Sequence, residues 1–218
     1  MSHTLHRVGT EENLKHDFVF LCMPSKDINH EGSAQKLRRF FELCQKNHCV
    51  TIGDCRGGNE WYQKNKYKLN DNLEGRKHMV DHVEDRAVIT ATFKEEEDVI
   101  RLMKDLKEED LGMSVVVSGL VDRVKECAHQ AGLKPHTVEH SLGRIGRTEM
   151  LPPNEILEIA TMCGHSMVSV NFINEMIEKC RKGKCTPEEA AAELFKPCMC
   201  GIFNTDRAAK LIRKMIES

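Results

Sequence analysis

The chain has 218 residues, enough for one large domain or a medium domain with a small module. Its formal net charge of −2 argues against electrostatic binding of nucleic acid by the protein surface as a whole, so nucleic acid is not an expected partner. No apolar run reaches the ~18 residues of a membrane span, and the N-terminus lacks the apolar core of a signal peptide. We therefore expect a cytoplasmic protein with no membrane partner.

Ten cysteines are many for a chain without an export signal. In a reducing compartment, cysteines are more often metal ligands, redox groups or small core residues than disulfide partners. Eleven methionines, which are oxidisable, are compatible with a reducing setting such as anaerobic metabolism. The cysteines are therefore the first candidates for a functional site.

The first 150 residues predict a polar N-terminal arm, 1–16, and an α/β domain, 17–150. We expect the arm to be loosely held. The apolar run 17–23 predicts a buried strand, and a helix at 32–47 and a strand at 50–53 follow it. Such a unit favours a parallel, right-handed crossover. Further helices are predicted at 72–84, 95–109 and 120–131, and strands at 87–93, 113–117 and 135–142.

The fold class is therefore α/β, an open sheet of about five strands with flanking helices. Two successive strand–helix–strand units also allow a ferredoxin-like antiparallel sheet, so the strand order stays open.

Cys22 and Cys55 follow two of these strands, where open α/β sheets place ligands. A neighbouring cation, Arg56, would lower the pKa of Cys55 and make it reactive. We nevertheless favour incidental roles for both cysteines. Residues 59–72 interleave lysines with aromatic side chains, and we interpret them as a long surface loop. A lid and a single-strand nucleic-acid contact are the alternatives.

The predicted strand 135–142 places His136 and His140 on one face. Arg144 and Arg147 follow it, flanked by glycines. These side chains would suit a metal, or a carboxylate or phosphate group. A polar sheet edge with a basic turn explains the same residues equally well, so both interpretations stay open.

Pro152 and Pro153 mark the clearest boundary, because a double proline interrupts regular structure and favours a new helix. We expect a helical, cysteine-containing module over 151–218. Its predicted helices at 166–181 and 187–196 form a hairpin, and a last helix spans 204–217. The first hairpin helix covers roughly 24 Å and the second returns roughly 15 Å.

The hairpin should bring Cys163 close to Cys198 and Cys200. Cys180 and Cys185 would lie at its far end, about 24 Å away, and are poor candidates for the same site. Both thiol-bearing segments fall at helix ends, where free backbone N–H groups stabilise thiolates. The sequence therefore predicts a metal site at Cys163, Cys198 and Cys200.

Three thiolates with one open position suit a [4Fe-4S] cluster. With His165 as a fourth ligand the same residues suit zinc. Thiol redox chemistry and a purely structural set of buried cysteines are the remaining interpretations. We favour the iron–sulfur cluster.

The sequence thus predicts a cytosolic iron–sulfur protein whose cluster faces an anion-binding α/β domain. As an oxygen-sensitive enzyme it would bind a small anionic substrate at Arg144, Arg147 and His136, and His165 or His140 would move a proton. A metal or cluster accessory or sensor protein, and a ligand-binding module with structural zinc, are the alternatives. Enzyme status, substrate and homo-oligomerisation stay open.

Overall fold

A computed structural model of the chain describes residues 4–217. Five strands form one open sheet, and every neighbouring pair in it is antiparallel. The strands are β1 (Phe18–Met23), β2 (Thr51–Asp54), β3 (Gly58–Asn59), β4 (Ile89–Phe93) and β5 (Ser114–Ser118). They lie in the order β3-β2-β4-β1-β5. The predicted α/β fold class is confirmed.

The topology is two interleaved strand–helix–strand units, the ferredoxin-like arrangement, with β3 added at one edge as a hairpin partner of β2. β1 and β2 each run antiparallel to β4, which lies between them, so they run parallel to each other and the predicted parallel crossover is confirmed. The two strands are not neighbours, so every hydrogen-bonded pair in the sheet is antiparallel. The continuous apolar run of β1 indicates that both faces of a strand are covered, which is commonest in parallel sheets. It does not report strand direction, and here both faces of an antiparallel sheet are covered.

Helices cover the two faces of the sheet in two separate cores. Phe18 and Phe20 of β1 pack with the helices of the first two-thirds of the chain. These helices include α2 (Ser33–Lys46), α4 (Asn72–Asp81), α5 (Glu96–Glu109) and α6 (Val121–Gln130). Val19 and Leu21 point the other way, into a core built by the C-terminal helices. Successive side chains of β1 therefore point to opposite faces of the sheet, and this one strand contributes to both cores.

The C-terminal segment is helical, as its sequence predicts. It contains α7 (Asn154–Ala160), α8 (Val170–Arg181), α9 (Pro187–Phe195) and α10 (Thr205–Glu217). Thr186 and Glu189 form a capping box at the start of α9, beside the proline expected at its first position. Among the described residues no helix is long and apolar enough to cross a membrane.

Two segments differ from their predicted conformation. Residues 135–142 form an exposed irregular segment and not a strand, and the fifth strand is the short β3 instead. The predicted surface loop at 59–72 contains α3 (Glu60–Tyr67), which Asn59 caps by accepting from the backbone N–H of Tyr62. Polar helices without an apolar stripe give no periodic signal, which explains why α3 was missed.

The N-terminal arm is not loosely held. Its first three residues lie outside the described part of the chain, but Thr4 is buried and the short helix α1 (Glu11–Leu14) follows. The Arg7 guanidinium donates to both carboxylate oxygens of Asp17, at 2.7 and 2.5 Å. Arg207 of α10 donates to the same carboxylate at 2.8 Å. A buried charge triad therefore ties the arm to β1 and α10.

We expect Asp17→Asn to lower the free energy of unfolding by about 3–5 kcal/mol, because it leaves two buried guanidinium groups without their counter-charge. Urea unfolding followed by circular dichroism measures the change. Glu12→Gln, which removes an exposed partner of Lys15, is the matched control and should have little effect. Equal stability of the two variants would contradict the assigned role of Asp17.

Candidate metal and thiol centre

The loop between α9 and α10 carries Cys198 and Cys200, and the sheet fixes its backbone. The hydroxyl of Thr51 on β2 donates to the carbonyl of Gly201 at 2.7 Å. The hydroxyl of Thr90 on β4 donates to the carbonyl of Cys200. Both threonines are fully buried. The two strands therefore hold the loop by side-chain hydrogen bonds that water does not reach.

A third buried side chain completes this clamp. The amide of Asn59 donates to the carbonyl of Cys198 at 2.9 Å, and it also lies within reach of the two carbonyls at the end of α9. The loop packs directly on β2 because Gly53 has no side chain. A Cβ atom at Gly53 would stand 2.2 Å from the Cys200 carbonyl oxygen. Gly201 makes the reciprocal approach to Ile52 and has a φ of +71°.

The second thiol-bearing segment is the connection between α7 and α8. Two backbone N–H groups, from His165 and Met167, donate to the sulfur of Cys163. Hydrogen bonds of this kind stabilise a thiolate and tune metal–sulfur centres. The tight turn that follows Cys163 therefore prepares its sulfur for negative charge.

One guanidinium holds the two segments together. Besides its contact with Asp17, Arg7 donates through Nη2 to the carbonyl of Met162 at 3.1 Å and to the carbonyl of Ile202. Met162 precedes Cys163, and Ile202 lies two residues after Cys200. The arm therefore positions both cysteine loops.

Four thiols meet where these segments converge. Cys163 and Cys198 are joined by a thiol hydrogen bond, Cys198 also contacts Cys200, and Cys200 contacts Cys55. The Cys200 sulfur lies 3.5 Å from Nδ1 of His165. The three C-terminal thiols are at most 3% exposed, whereas Cys55 is exposed. The thiol centre, Cys55, Cys163, Cys198 and Cys200, thus reaches solvent at Cys55.

The thiols of the centre have divergent acidities. The hydrogen bond from Cys198 is the main cause that lowers the pKa of Cys163, to about 6, and the two backbone N–H donors add to it. The pKa of Cys198 is raised by its contacts with Cys163 and Cys200 and by burial. At neutral pH Cys163 is therefore the thiolate of the Cys163–Cys198 pair, and Cys198 is its protonated neighbour.

Cys55 is the ligand candidate that sequence reasoning missed. Its pKa is raised, first by the hydrogen bond with Cys200 and then by desolvation of the sulfur, although the residue as a whole is exposed, so the expected activation by Arg56 is wrong. The signal was nevertheless present, because Cys55 follows the end of β2. Its contact with a loop 145 residues later depends on strand order, which the sequence left open.

The other predicted site residues lie elsewhere. His136, His140, Arg144 and Arg147 are all exposed in the irregular segment after α6. A surface cavity of about 670 Å³ adjoins Arg144, whose guanidinium donates to the Asn154 side chain at 3.1 Å. The structure thus brings together Cys163, His165, Cys198 and Cys200, and leaves the histidine–arginine set separate, with no hydrogen bond within residues 4–217 joining it to the thiol centre.

Cys180 and Cys185 form a pair of their own, with 3.5 Å between their sulfurs. They lie at the turn between α8 and α9, the far end of the hairpin, where the helix arithmetic placed them.

No three His, Cys, Asp or Glu side chains in residues 4–217 already stand at the spacing of a bound metal ion. The thiols of the centre instead satisfy one another by hydrogen bonds. Comparisons with protein-family models, with curated proteins and with solved structures found no match. The case for a function therefore depends on the chemistry of the thiol centre.

The lowered pKa of Cys163 gives a direct prediction. The ultraviolet thiolate absorbance of the reduced, metal-free protein should show a step with a midpoint near pH 6. Cys163→Ser should abolish this step, and Cys127→Ser, which removes a buried thiol of α6, should keep it. Absence of thiolate until about pH 8, where ordinary cysteines begin to titrate, would contradict the assignment. The stability that this thiolate contributes is complete above the unfolded pKa and is lost as the pH falls through about 6.

The contact of Gly53 with the Cys200 carbonyl gives a second prediction. Gly53→Ala should displace the loop, because its Cβ would overlap that oxygen at 2.2 Å. We expect a stability loss of about 1–3 kcal/mol and loss of the Cys163 titration step near pH 6. Thr90→Val, which removes one hydrogen bond to the same carbonyl without adding bulk at Gly53, should cost stability but keep most of the step. An unchanged titration in Gly53→Ala would show that the loop position does not control the thiol centre.

Proposed function

We propose that the chain is an iron–sulfur protein that binds its cluster at Cys163, Cys198 and Cys200, with Cys55 as the fourth ligand. The observation that carries the proposal is the prepared thiolate of Cys163, which accepts two backbone N–H bonds and lies against a second thiol. Thiolates supported by N–H donors are the usual ligands of such clusters.

The donor set fits a cluster on two further grounds. All four ligands are thiols, the ligand type that iron–sulfur clusters select. The backbone of Cys198 and Cys200 is held by three buried side chains, Thr51, Thr90 and Asn59, so ligand binding requires thiol rotation and not loop folding. The thiols would exchange their mutual hydrogen bonds for metal bonds.

Adding Cys55 as a fourth ligand favours electron transfer over catalysis. When bound, the cluster would supply one-electron transfer, or Lewis-acid binding of a substrate if one iron lacked a protein ligand. With Cys55 in place all four irons have a thiolate. We therefore favour an electron-transfer or cluster-carrying role over catalysis at an open iron. Exposure of Cys55 suits this role, because it gives the buried centre one route to a partner.

His165 has a supporting part in this proposal. Its Nδ1 lies 3.5 Å from the Cys200 sulfur, where it can donate a hydrogen bond to a thiolate or hold a proton close to the centre. Arg144, Arg147, His136 and His140 are left out of the centre, because they lie on the exposed segment after α6.

Thiol redox chemistry is the second candidate, and a specific observation favours it. Cys163 has a pKa of about 6 and lies in hydrogen-bond contact with Cys198. A thiolate beside a second thiol can attack a disulfide small enough to enter the centre past Cys55, and the second thiol can then displace the product. Two thiols are oxidised to one disulfide while the substrate disulfide is reduced to two thiols.

Anaerobic purification followed by metal and acid-labile sulfide analysis tests the proposal. We expect iron and sulfide in near-equal amounts, bound to a brown protein. Cys163→Ser and Cys198→Ser should each lower the iron content by at least tenfold, and Cys127→Ser should retain it.

Two other results of the metal analysis would each support one of the alternative functions. Zinc without sulfide would replace the cluster by a structural four-cysteine site. Metal-free protein that stays metal-free after anaerobic incubation with ferrous iron and sulfide would overturn the metal proposal and leave the dithiol function.

A further inference from the structure

A second pair of thiols lies at the turn between α8 and α9, at the end of the hairpin that is remote from the thiol centre. The sulfurs of Cys180 and Cys185 are 3.5 Å apart. Cys180 is 7% exposed and Cys185 is half-buried, while the four residues between them are all exposed. A small molecule can therefore reach the pair from solvent at this turn.

Two helix ends fix the backbone of both cysteines. Gly183, with a φ of +63°, ends α8 in a Schellman motif. Its N–H donates to the carbonyl of Cys180 at 2.9 Å, and the N–H of the next residue donates to the carbonyl of Lys179 at 2.9 Å. Cys185 directly precedes Thr186, the N-cap of α9. The spacing of the two thiols is therefore set by two capping motifs and not by a flexible loop.

Both sulfurs carry a hydrogen. The Sγ of Cys180 lies 3.5 Å from the carbonyl oxygen of Thr186, which only accepts, so Cys180 donates its single hydrogen there. In the contact between the two sulfurs Cys185 must then be the donor. Burial is the main cause that raises the pKa of Cys180, to about 11, and the hydrogen bond with Cys185 adds to it. At neutral pH the pair is a dithiol.

The spacing of the sulfurs favours a ligand atom that binds thiolates in a bent arrangement. Two sulfurs 3.5 Å apart, each about 2.3 Å from a shared atom as in zinc–thiolate bonds, subtend an angle of about 100° at that atom. Linear coordination at the same bond length would need sulfurs about 4.6 Å apart. Sulfur has lone pairs on all sides of its Cβ–Sγ axis, so both cysteines can direct one toward a shared atom. Pyramidal and tetrahedral centres fit the pair, and linear ones do not.

The charges at the turn favour a neutral ligand over a divalent cation. Lys182 and Lys184 are exposed between the two cysteines and have no ion pair within residues 4–217. The carboxylates in the first turn of α9 are engaged, since Glu188 pairs with Arg213 and Glu189 completes the capping box. No third His, Cys, Asp or Glu of the described residues joins the thiols. The turn offers two thiols and unpaired positive charge, but no free carboxylate.

We propose that Cys180 and Cys185 bind a neutral hydroxide of a trivalent metalloid, of the class of arsenous acid. Such a centre is soft and pyramidal, and thiolates are the ligands that soft centres select. In the reaction two arsenic–sulfur bonds form and two arsenic–oxygen bonds break, and each thiol hydrogen leaves with one hydroxide as water. Arsenic stays trivalent and keeps its third hydroxide. No charge is created, so the neighbouring lysines do not oppose binding.

Arsenic binding to the reduced, metal-free, full-length protein tests this site. After incubation with sodium arsenite and removal of the excess, elemental analysis should find one arsenic atom fewer per chain in Cys185→Ser than in the unchanged protein. Cys127→Ser, which removes a buried thiol of α6, should keep that atom. Any arsenic bound by the thiol centre is common to the three proteins and cancels. Circular dichroism checks that the variants fold.

Peptide mapping assigns the bound arsenic to this pair. Trypsin cleaves after lysine and arginine, so it cuts after Arg181, Lys182 and Lys184 and separates the two cysteines. Phenylarsine oxide, which offers two positions to thiols, should keep the fragments that carry Cys180 and Cys185 joined through one arsenic atom. Addition of 2,3-dimercaptopropanol, a competing dithiol, should release them.

Three results would overturn the proposal. The first is an equal arsenic content in Cys185→Ser and the unchanged protein. The second is recovery of the two cysteine fragments unjoined after phenylarsine oxide treatment. The third is the loss of one equivalent of bound zinc in Cys185→Ser, which would assign the pair to a divalent cation. None of these outcomes involves the thiol centre, so failure here leaves the proposed function untouched.

Discussion

A buried carboxylate organises this molecule. Asp17 is 1% exposed and accepts hydrogen bonds from two guanidinium groups, on Arg7 and Arg207, and from the Asn204 amide. Charges without water must be paired, because the cost of an isolated buried ion is several kcal/mol. The pairing forces three distant parts of the chain to meet: the N-terminal arm, the start of β1, and α10 with its cap.

The position of the thiols follows from that meeting. Arg7 continues from Asp17 to the carbonyls of Met162 and Ile202, one beside each cysteine loop. From the opposite side, Thr51, Thr90 and Asn59 hold the backbone of the second loop against the sheet. A buried carbonyl that loses its donor costs about 1–3 kcal/mol, so each contact resists displacement of the loop. The backbone that carries the cysteines is therefore held from both sides.

Local patterns in the sequence predicted most of the helices and strands, and arithmetic along one hairpin predicted that Cys163 meets Cys198 and Cys200. Both succeeded because they depend on contacts near in sequence or on the fixed rise of a helix. Strand order, the place of Cys55 and the role of Arg7 were not predictable in this way. They depend on which strands are neighbours and on the burial of a polar arm whose composition resembles that of a solvent-exposed tail. The strand predicted at 135–142 was wrong because β-branched and alternating residues there have no sheet partner to pair with.

Disulfide trapping of the reduced, metal-free protein tests the central claim most directly, which is that Cys163 contacts the Cys198–Cys200 loop. After brief exposure to a disulfide oxidant, peptide mapping should find Cys163 joined to Cys198 or Cys200. A disulfide between Cys180 and Cys185, whose sulfurs lie 3.5 Å apart, is the positive control for the reaction. Formation of that control disulfide with no product linking Cys163 to the later loop would contradict the account.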